Sequence, residues 1–340
     1  MATKNFKILG IDTSCDDTCA ALLEVNNRQV KILSNVVSSQ VKLHQKYGGV
    51  YPFLAKREHQ KNLSLVFRKA AKDVFDIDLI GVTSGPGLEP CLWQGINFAQ
   101  NLSEKFEIPI VPVNHVEAHI LANFIDGFPK SIKSIKFPVV CLVVSGGHTG
   151  LILMKDIGKY KLIGETRDDA AGECFDKVAR ILDLSYPGGP AIAAAAAKLQ
   201  ITNYKLQITL PRPMINQKNY DFSFSGLKTA VLYNYRTQPE KIRKSKKYVR
   251  AMCSETQQAV IDVLIRKTLK AARDYKVKSI ILGGGVAANE ELRKQFKKKA
   301  EVFVPSKVFC TDNAAMVALT AFFHRSDNFK SIKAESNLRI

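Results

Sequence analysis

Ile8 to Leu23 reads as strand, polar turn, strand, with the turn at Asp12-Thr13-Ser14-Cys15-Asp16-Asp17. Val139 to Met154 repeats that plan around Ser145-Gly146-Gly147-His148-Thr149. A second signature also occurs twice. Leu79-Ile80-Gly81-Val82 enters Ser84-Gly85-Pro86-Gly87 and then a helical stretch; Ile280-Ile281-Leu282 enters Gly283-Gly284-Gly285 and then another. The chain is therefore expected to be an α/β protein of two similar halves, each with its own core, facing each other across a cleft with ligands at the strand ends. At 340 residues it is long enough for two cores. The expected division is a first lobe over 1–132 and a second over 133–325, with the last helix able to pack back on the first lobe, then a tail over 326–340. The hinge is placed in Phe128 to Phe137, rich in Lys and Ser and bounded by Pro129 and Pro138.

Helical periodicity predicts helices over Glu58 to Phe75, Leu92 to Phe106 and Ser254 to Tyr275. The first presents His59, Leu63, Val66, Phe67, Ala70 and Val74 on one face. Lys198-Leu199-Gln200-Ile201-Thr202 recurs as Lys205-Leu206-Gln207-Ile208-Thr209, just after the alanine run Ala193 to Ala197. Two copies are too few for a repeat architecture, so this is read as an extended surface insertion without chemistry. No apolar run approaches the ~18 residues of a membrane span, and the first residues lack the features of a secretory or transit segment. Seven scattered cysteines form neither a zinc-ribbon spacing nor a dense, even disulfide framework. A reducing cytoplasm is expected.

The net charge of +19 fits a polyanionic partner such as RNA, and equally a lysine-rich solvated surface. The cations cluster along Lys241 to Arg250, along Arg293 to Lys299, and on the helix carrying Lys56, Arg57, Lys61, Arg68, Lys69 and Lys72. No cluster interleaves aromatics as a single-strand stacking platform does.

His115-Val116-Glu117-Ala118-His119 puts two imidazoles four residues apart, about 40° around a helix axis, a spacing for Zn or Fe. Two polar helix residues without a metal satisfy the same pattern. A zincin carries its general base directly after the first His; Val116 holds that position, and Glu117 points about 200° away. Asp312 is a candidate third ligand, although a helix N-cap at Thr311 or Asp312 is the plainer reading of that stretch. The loop Ser145 to Thr149 can offer successive backbone N–H groups to a phosphate. Gly283-Gly284-Gly285 can do so with a helix N-terminus. Neither is a Walker loop or a Rossmann fingerprint.

Taken in order, the motifs resemble those of the TsaD (Gcp) family, the bacterial tRNA N(6)-adenosine threonylcarbamoyltransferases. The resemblance runs from Ile8 to about Ala321. It rests on Ile11 to Asp16, Ser39 to His44, Tyr47 to Val50, the histidine pair, Val144 to Thr149, Asp168 to Glu173, Phe175-Asp176-Lys177, Tyr186 to Pro190, Phe222 to Lys228 and Gly283 to Asn289. It implies an actin-like ATPase (ASKHA) fold of two duplicated RNase H-like lobes around a nucleotide cleft. It also implies transfer of a threonylcarbamoyl group from threonylcarbamoyl-adenylate to the N(6) amine of adenosine 37 in tRNAs that read codons beginning with adenine, with release of AMP.

By the same resemblance, His115, His119 and Asp312 hold one divalent metal, Fe(2+) or else Zn(2+). Val143, Val144, Ser145, Gly146, Gly147, Asp176, Gly189 and Asn289 hold the adenylate and threonylcarbamoyl moiety. A TsaB-like paralogue and a TsaE-like ATPase are the implied partners beside tRNA. Asp12 is the candidate for orienting the reacting groups. The chain departs from the family pattern at Asp12 and Asp17, where Glu is usual, at Phe53, at Glu89-Pro90-Cys91 and at Ala193. The competing readings are an actin-fold ATPase or sugar kinase, a metallopeptidase, and a non-catalytic subunit of the modification complex.

Overall fold

The computed structural model describes residues 5–26, 28–71, 77–199, 208–327 and 331–340. The chain divides into two compact units. Unit 1 comprises Met1–Lys136, Lys155–Tyr160 and Val304–Ile340; unit 2 comprises Phe137–Met154 and Lys161–Phe303. The first boundary falls inside the Phe128–Phe137 stretch, and the segment from Val304 onward belongs to unit 1.

Unit 1 begins with strands β1 (Phe6–Asp12), β2 (Asp17–Val25) and β3 (Val30–Ser39), then helices α1 (Val41–Gln45) and α2 (Pro52–Ala70). β4 (Leu79–Gly85), α3 (Glu89–Phe106), β5 (Ile110–Asn114), α4 (His115–Leu121) and α5 (Lys130–Ser134) complete its first segment. Its sheet runs β3-β2-β1-β4-β5. β2 is antiparallel to β1 and to β3, whereas β4 is parallel to β1 and to β5. Ile8, Leu9 and Ile11 of β1 are fully buried, as expected of a central strand covered on both faces. α2 and α3 cover one face, where Leu63, Phe67, Leu92 and Ile96 meet Leu9, Ile11, Ile80 and Val82.

Unit 2 carries β6 (Val139–Val144), β7 (Thr149–Asp156) and β8 (Lys159–Glu165), the last two without the Lys155–Tyr160 tip that groups with unit 1, then α6 (Ala171–Ile181) and α7 (Gly188–Ala197). α8 (Ser225–Thr237), α9 (Glu240–Arg243), α10 (Lys246–Asp274), β9 (Ser279–Gly283), α11 (Glu290–Lys297) and β10 (Glu301–Phe303) follow. Its sheet runs β10-β9-β6-β7-β8, with β7 antiparallel and β9 parallel to β6. Read from the other edge, β8-β7-β6-β9-β10 is the order of unit 1. The duplicated hairpins are β1/β2 and β6/β7, and the duplicated strand–glycine turns are those after β4 and β9. Two RNase H-like units in one chain make the actin-like fold expected from the sequence.

The chain then returns to unit 1 for α12 (Ala314–Phe323), which packs on β1, β2 and β4. Its seat is made by two glycines paired across the sheet, Gly10 of β1 and Gly81 of β4. A Cβ on Gly10 would lie 2.1 Å from the Ala314 carbonyl oxygen, and one on Gly81 would lie 2.6 Å from the Ala321 Cβ. Only bare backbone lets the helix come this close. Residues 331–340 also lie against unit 1: Glu335 N–H donates to Ser84 C=O at 2.8 Å, and Gly87 N–H donates to Ser336 C=O at 3.2 Å.

Three helix starts differ from the sequence expectation. α2 begins at Pro52 rather than Glu58, and α3 at Glu89 rather than Leu92. In both a proline sits in the first turn, where its missing N–H would have had no intrahelical partner. This places the unusual Glu89-Pro90-Cys91 at a helix start and Phe53, 68% exposed, on the first turn of α2. α10 begins at Lys246, eight residues before Ser254, because Ser245 accepts a hydrogen bond from Tyr248 N–H as N-cap. The alanine run, with Ala193, lies in α7. Val74 and most of the Lys198–Thr209 repeat fall outside the described residues. Among the described residues no helix is long and apolar enough to cross a membrane.

Candidate metal centre and glycine loops

α4 starts directly at the end of β5. Asn114 caps it, its Oδ1 accepting from Val116 N–H at 2.9 Å and Glu117 N–H at 3.2 Å. A capped seven-residue helix presents His115 and His119 on one face, with ring centroids 4.6 Å apart. Asp312 joins them from the turn before α12. It is not a cap: Asn313 takes that role, accepting from Met316 N–H at 3.1 Å, and Asp312 is free to turn toward the histidines. Its Oδ1 lies 3.4 Å from Nε2 of both His115 and His119. One ligand atom from each of the three residues falls within 4.8 Å of the others.

Both histidines are buried, His119 to 1% exposure. Among the described residues neither ring nitrogen of His119 has a hydrogen-bond partner. Orphaned nitrogens in a dry site are costly, and a cation between them and Asp312 would satisfy them. Two imidazoles and one carboxylate suit a borderline divalent transition metal, so the residues fit the expected ion.

Behind His115 stands Asp12, fully buried at the end of β1. Its Oδ1 accepts from Ser14 N–H at 3.0 Å, and its Oδ2 lies 3.5 Å from His115 Nδ1. Burial lowers the basicity of His115, but Asp12 and Asp312 outweigh this and raise its pKa to about 9. Burial alone would push the Asp312 carboxyl up, yet the imidazoles of His115 and His119, each 3.4 Å away, hold it far below the usual carboxylate range. Burial in turn raises the Asp12 pKa against the pull of His115, and a divalent ion would compete for the protons of this cluster. The turn bearing Asp12 is pinned by His59 of α2, which bonds the Thr18 hydroxyl at 2.8 Å and the Cys15 carbonyl at 3.0 Å. Burial lowers the His59 pKa to about 4. In the sequence His59 was legible only as a helix-face residue.

Glu117 takes no part in the centre. Its Oε1 lies 3.0 Å from His324 Nε2, and His324 Nδ1 lies 2.8 Å from Asp327. No local pattern links Glu117 with a histidine 207 positions later.

In unit 2, the turn between β6 and β7 is closed by Ser145 N–H to His148 C=O at 2.8 Å and His148 N–H to Ser145 Oγ at 3.1 Å. Gly146 and Gly147 face open space: a Cβ on either would meet nothing within 4 Å. Among the described residues their N–H groups have no acceptor. Gly284, at φ +87°, lies so close to β6 that a Cβ would sit 2.4 Å from Val144 C=O. At Gly172 in α6 a Cβ would sit 2.5 Å from Ser145 C=O. Both glycine loops and the start of α6 therefore meet at the end of the central strand.

The other residues expected at the donor site lie on β6, α6 and α7 and at the start of α11. Val143 and Val144 are buried in β6, leaving only their backbone available. Asp176 Oδ1 accepts from Gly188 N–H at 2.6 Å, and a Cβ on Gly189 would have the Phe175 ring as its one neighbour within 4 Å, at 3.9 Å. Asn289 Oδ1 caps α11 through Leu292 N–H at 3.0 Å, while its Nδ2 donates to Gln257 at 2.8 Å. The Gly283–Gly285 loop does not enter an α-helix directly; a 3-10 turn, Gly285–Ala288, intervenes.

Three of the motifs, Asp168 to Glu173, Phe175-Asp176-Lys177 and Phe222 to Lys228, prove to hold one another. The Asp168 carboxylate accepts from Ser223 Oγ, Phe224 N–H, Ser225 N–H and Ser225 Oγ, at 2.5 to 3.2 Å. Asp169 pairs with Lys177 at 2.6 Å and Lys228 at 3.3 Å.

The family model for tRNA N6-adenosine threonylcarbamoyltransferase matches residues 31–319. Curated proteins of that description are similar along nearly their whole length. One from Syntrophomonas wolfei is 46% identical over 326 residues, covering 93% of this chain and 92% of the relative. One from Thermosipho africanus is 45% identical over 345 residues, covering 98% and 99%. One from Bacillus subtilis is 44% identical over 328 residues, covering 93% and 89%. Among solved structures, HypF of T. kodakarensis superposes with a TM-score of 0.54 at 14% identity, over 94% of this chain and 47% of that one. At that identity the likeness concerns fold alone.

Proposed function

The chain belongs to the TsaD family of tRNA N6-adenosine threonylcarbamoyltransferases, and we propose that it moves the threonylcarbamoyl group of threonylcarbamoyl-adenylate to the N6 amine of adenosine 37 in tRNAs reading codons that begin with adenine. The amine nitrogen forms a bond to the carbamoyl carbon, the bond from that carbon to the phosphate oxygen breaks, AMP leaves, and the amine gives up a proton. The observation that carries this is the convergence of His115, His119 and Asp312 in a chain of this family.

His115, His119 and Asp312 would hold the metal, Fe(2+) by preference and Zn(2+) as the alternative. When bound it supplies a Lewis-acid anchor for donor oxygens. The free N–H groups of Gly146 and Gly147 receive the charge that grows on the departing phosphate. Asp176, Gly189, Asn289 and the backbone of Val143 to Ser145 shape the adenylate and threonylcarbamoyl site. Because the donor is already activated, binding and orientation carry much of the rate. Asp12, wholly buried behind His115, acts as a positioning residue: its Oδ2, 3.5 Å from Nδ1, favours a proton on that nitrogen and leaves Nε2 for the metal.

A TsaB-like paralogue and a TsaE-like ATPase are the proposed protein partners. The proposed compartment is the cytoplasm, in keeping with a tRNA substrate and seven free cysteines, six of them buried. A peptidase reading has no support: Val116 stands at the position of the base, and Glu117 is engaged by His324.

The test is product analysis. Protein, partners, unmodified tRNA and threonylcarbamoyl-adenylate are incubated, and digested tRNA is read by mass spectrometry. Threonylcarbamoyladenosine is expected with the wild type and absent with His115→Ala/His119→Ala. No product from folded, partner-bound wild type would overturn the assignment.

A further inference from the structure

Between Arg236 and Arg250 the chain carries seven cations, Arg236, Lys241, Arg243, Lys244, Lys246, Lys247 and Arg250, against one carboxylate, Glu240. The fold gathers them at one corner of unit 2, where α8 ends and α9 and α10 follow in close succession. Glu240 is taken by Lys244 at 2.6 Å. Among the described residues the other six cations make no ion pair. Arg236, Lys241, Lys246 and Lys247 are exposed.

Two features set this corner apart from an ordinary solvated face. Lys246 and Lys247 occupy the first two positions of α10, whose first turn has no acidic residue. Cations there oppose the helix macrodipole, which favours carboxylates at that end, so the placement works against folding and calls for an anion to offset it. Aromatic rings also flank the cations: Tyr248 lies between Lys247 and Arg250, and Tyr233 and Tyr235 come just before Arg236. The Arg243 guanidinium lies 5.3 Å from the Tyr235 ring, which lies 6.3 Å from the Tyr248 ring. Tyr233, 62% exposed, shares a face of α8 with Arg236 three residues on.

We propose that this corner of unit 2 is where the backbone of the tRNA docks, with Tyr233 offered to an unstacked base. The proposal rests on the function given above and adds to it the surface that receives the RNA. Phosphates neutralise the unpaired cations and release counterions, and an exposed tyrosine stacks on any base without reading its sequence.

The test uses the full chain with its partners and measures unmodified tRNA binding across a salt series. Lys246→Glu/Lys247→Glu is suited to it because carboxylates at these positions favour the helix. Expected are a tRNA affinity about tenfold lower or more at 0.1 M salt and a slope of log K against log salt shallower by about 2. KM for tRNA should rise in step while kcat at saturating tRNA is retained. Tyr233→Ala should weaken binding about fivefold or more with the slope unchanged. Lys297→Glu/Lys298→Glu, the same charge change on another exposed basic cluster, should have little effect.

Unchanged affinity and slope in the Lys246→Glu/Lys247→Glu protein, or an equal loss in the Lys297→Glu/Lys298→Glu protein, overturns the proposal. Retained tRNA affinity with loss of a protein partner would assign the corner to an acidic protein surface and likewise overturn it. A wild type that binds tRNA at this corner yet forms no product counts against the proposed reaction, not against the docking surface.

Discussion

Gly10→Ala should damage stability and metal binding together. The added Cβ would lie 2.1 Å from the Ala314 carbonyl oxygen and 2.8 Å from the Ala318 nitrogen. An ordinary carbon–oxygen contact is near 3.3 Å, so α12 must move by roughly 1 Å, since both atoms are backbone and cannot rotate away. Overpacking of this kind costs about 1–3 kcal/mol, and the rigidity of the contact points to the upper end. At about 2–4 °C per kcal/mol, melting should fall by roughly 5–10 °C. Asp312 stands two residues before α12 and moves with it, whereas metal ligands tolerate only about 0.2 Å; affinity should fall by at least about tenfold.

Gly81→Ala supplies the control. Its Cβ would meet the Ala321 side chain at 2.6 Å, so Ala321→Gly should recover part of its loss, less about 1 kcal/mol for glycine in a helix. No side-chain change in α12 can rescue Gly10→Ala. Denaturant unfolding of apo protein and competitive metal titration read the two effects separately. A Gly10→Ala protein within 0.5 kcal/mol of wild type, a threshold set by ordinary surface substitutions, with full metal affinity would show that α12 does not hold Asp312 in place.

Asp12→Asn should lower metal affinity by about 10–100-fold with the fold intact; affinity within threefold of wild type would remove Asp12 from the positioning role. The Glu117 hydrogen bond, opposed by burial, raises the His324 pKa to about 9. That contact therefore stabilises fully below about pH 6.5 and is lost as pH rises through 9, on the order of 2 kcal/mol once partial exposure is discounted. The stability difference between wild type and His324→Gln should vanish above that range, and a constant difference from pH 6 to 10 would contradict the assignment. Burial raises the Asp17 pKa to about 7. The folded protein then holds a proton the unfolded chain has released, so this carboxyl disfavours folding increasingly between pH 4 and 7. Asp17→Asn should raise the melting temperature of metal-free protein at pH 8 and leave it unchanged at pH 4.

What could be seen in the sequence was what depends on local spacing. The hairpins announced themselves by apolar runs broken by polar or glycine turns, and the histidine pair by its four-residue interval. The early starts of α2 and α3 were hidden because Pro52 and Pro90 are helix breakers everywhere except in a first turn. That of α10 was hidden because its first turns hold lysine and arginine, which carry little apolar period. Contacts between separated segments left no trace at all: His324 claiming Glu117, and Gly188 N–H claiming Asp176. Such pairings follow from which surfaces the fold brings together, and neither partner's neighbours encode the other.

The return of the chain to unit 1 after Phe303 bears on biosynthesis. His115 and His119 leave the ribosome roughly 190 residues before Asp312, an interval of about 10–40 s at bacterial elongation rates. Throughout it the groove over Gly10 and Gly81 lacks its helix, and the nascent sheet shows an uncovered apolar face of the kind chaperones bind. All of unit 2 can fold in the meantime. A message cut short before the last thirty codons would thus yield a protein with its glycine loops formed, its candidate metal centre lacking Asp312 and its first sheet unsealed. If the proposed centre takes up its metal, loading would report that translation has run through α12, a molecular record of completion.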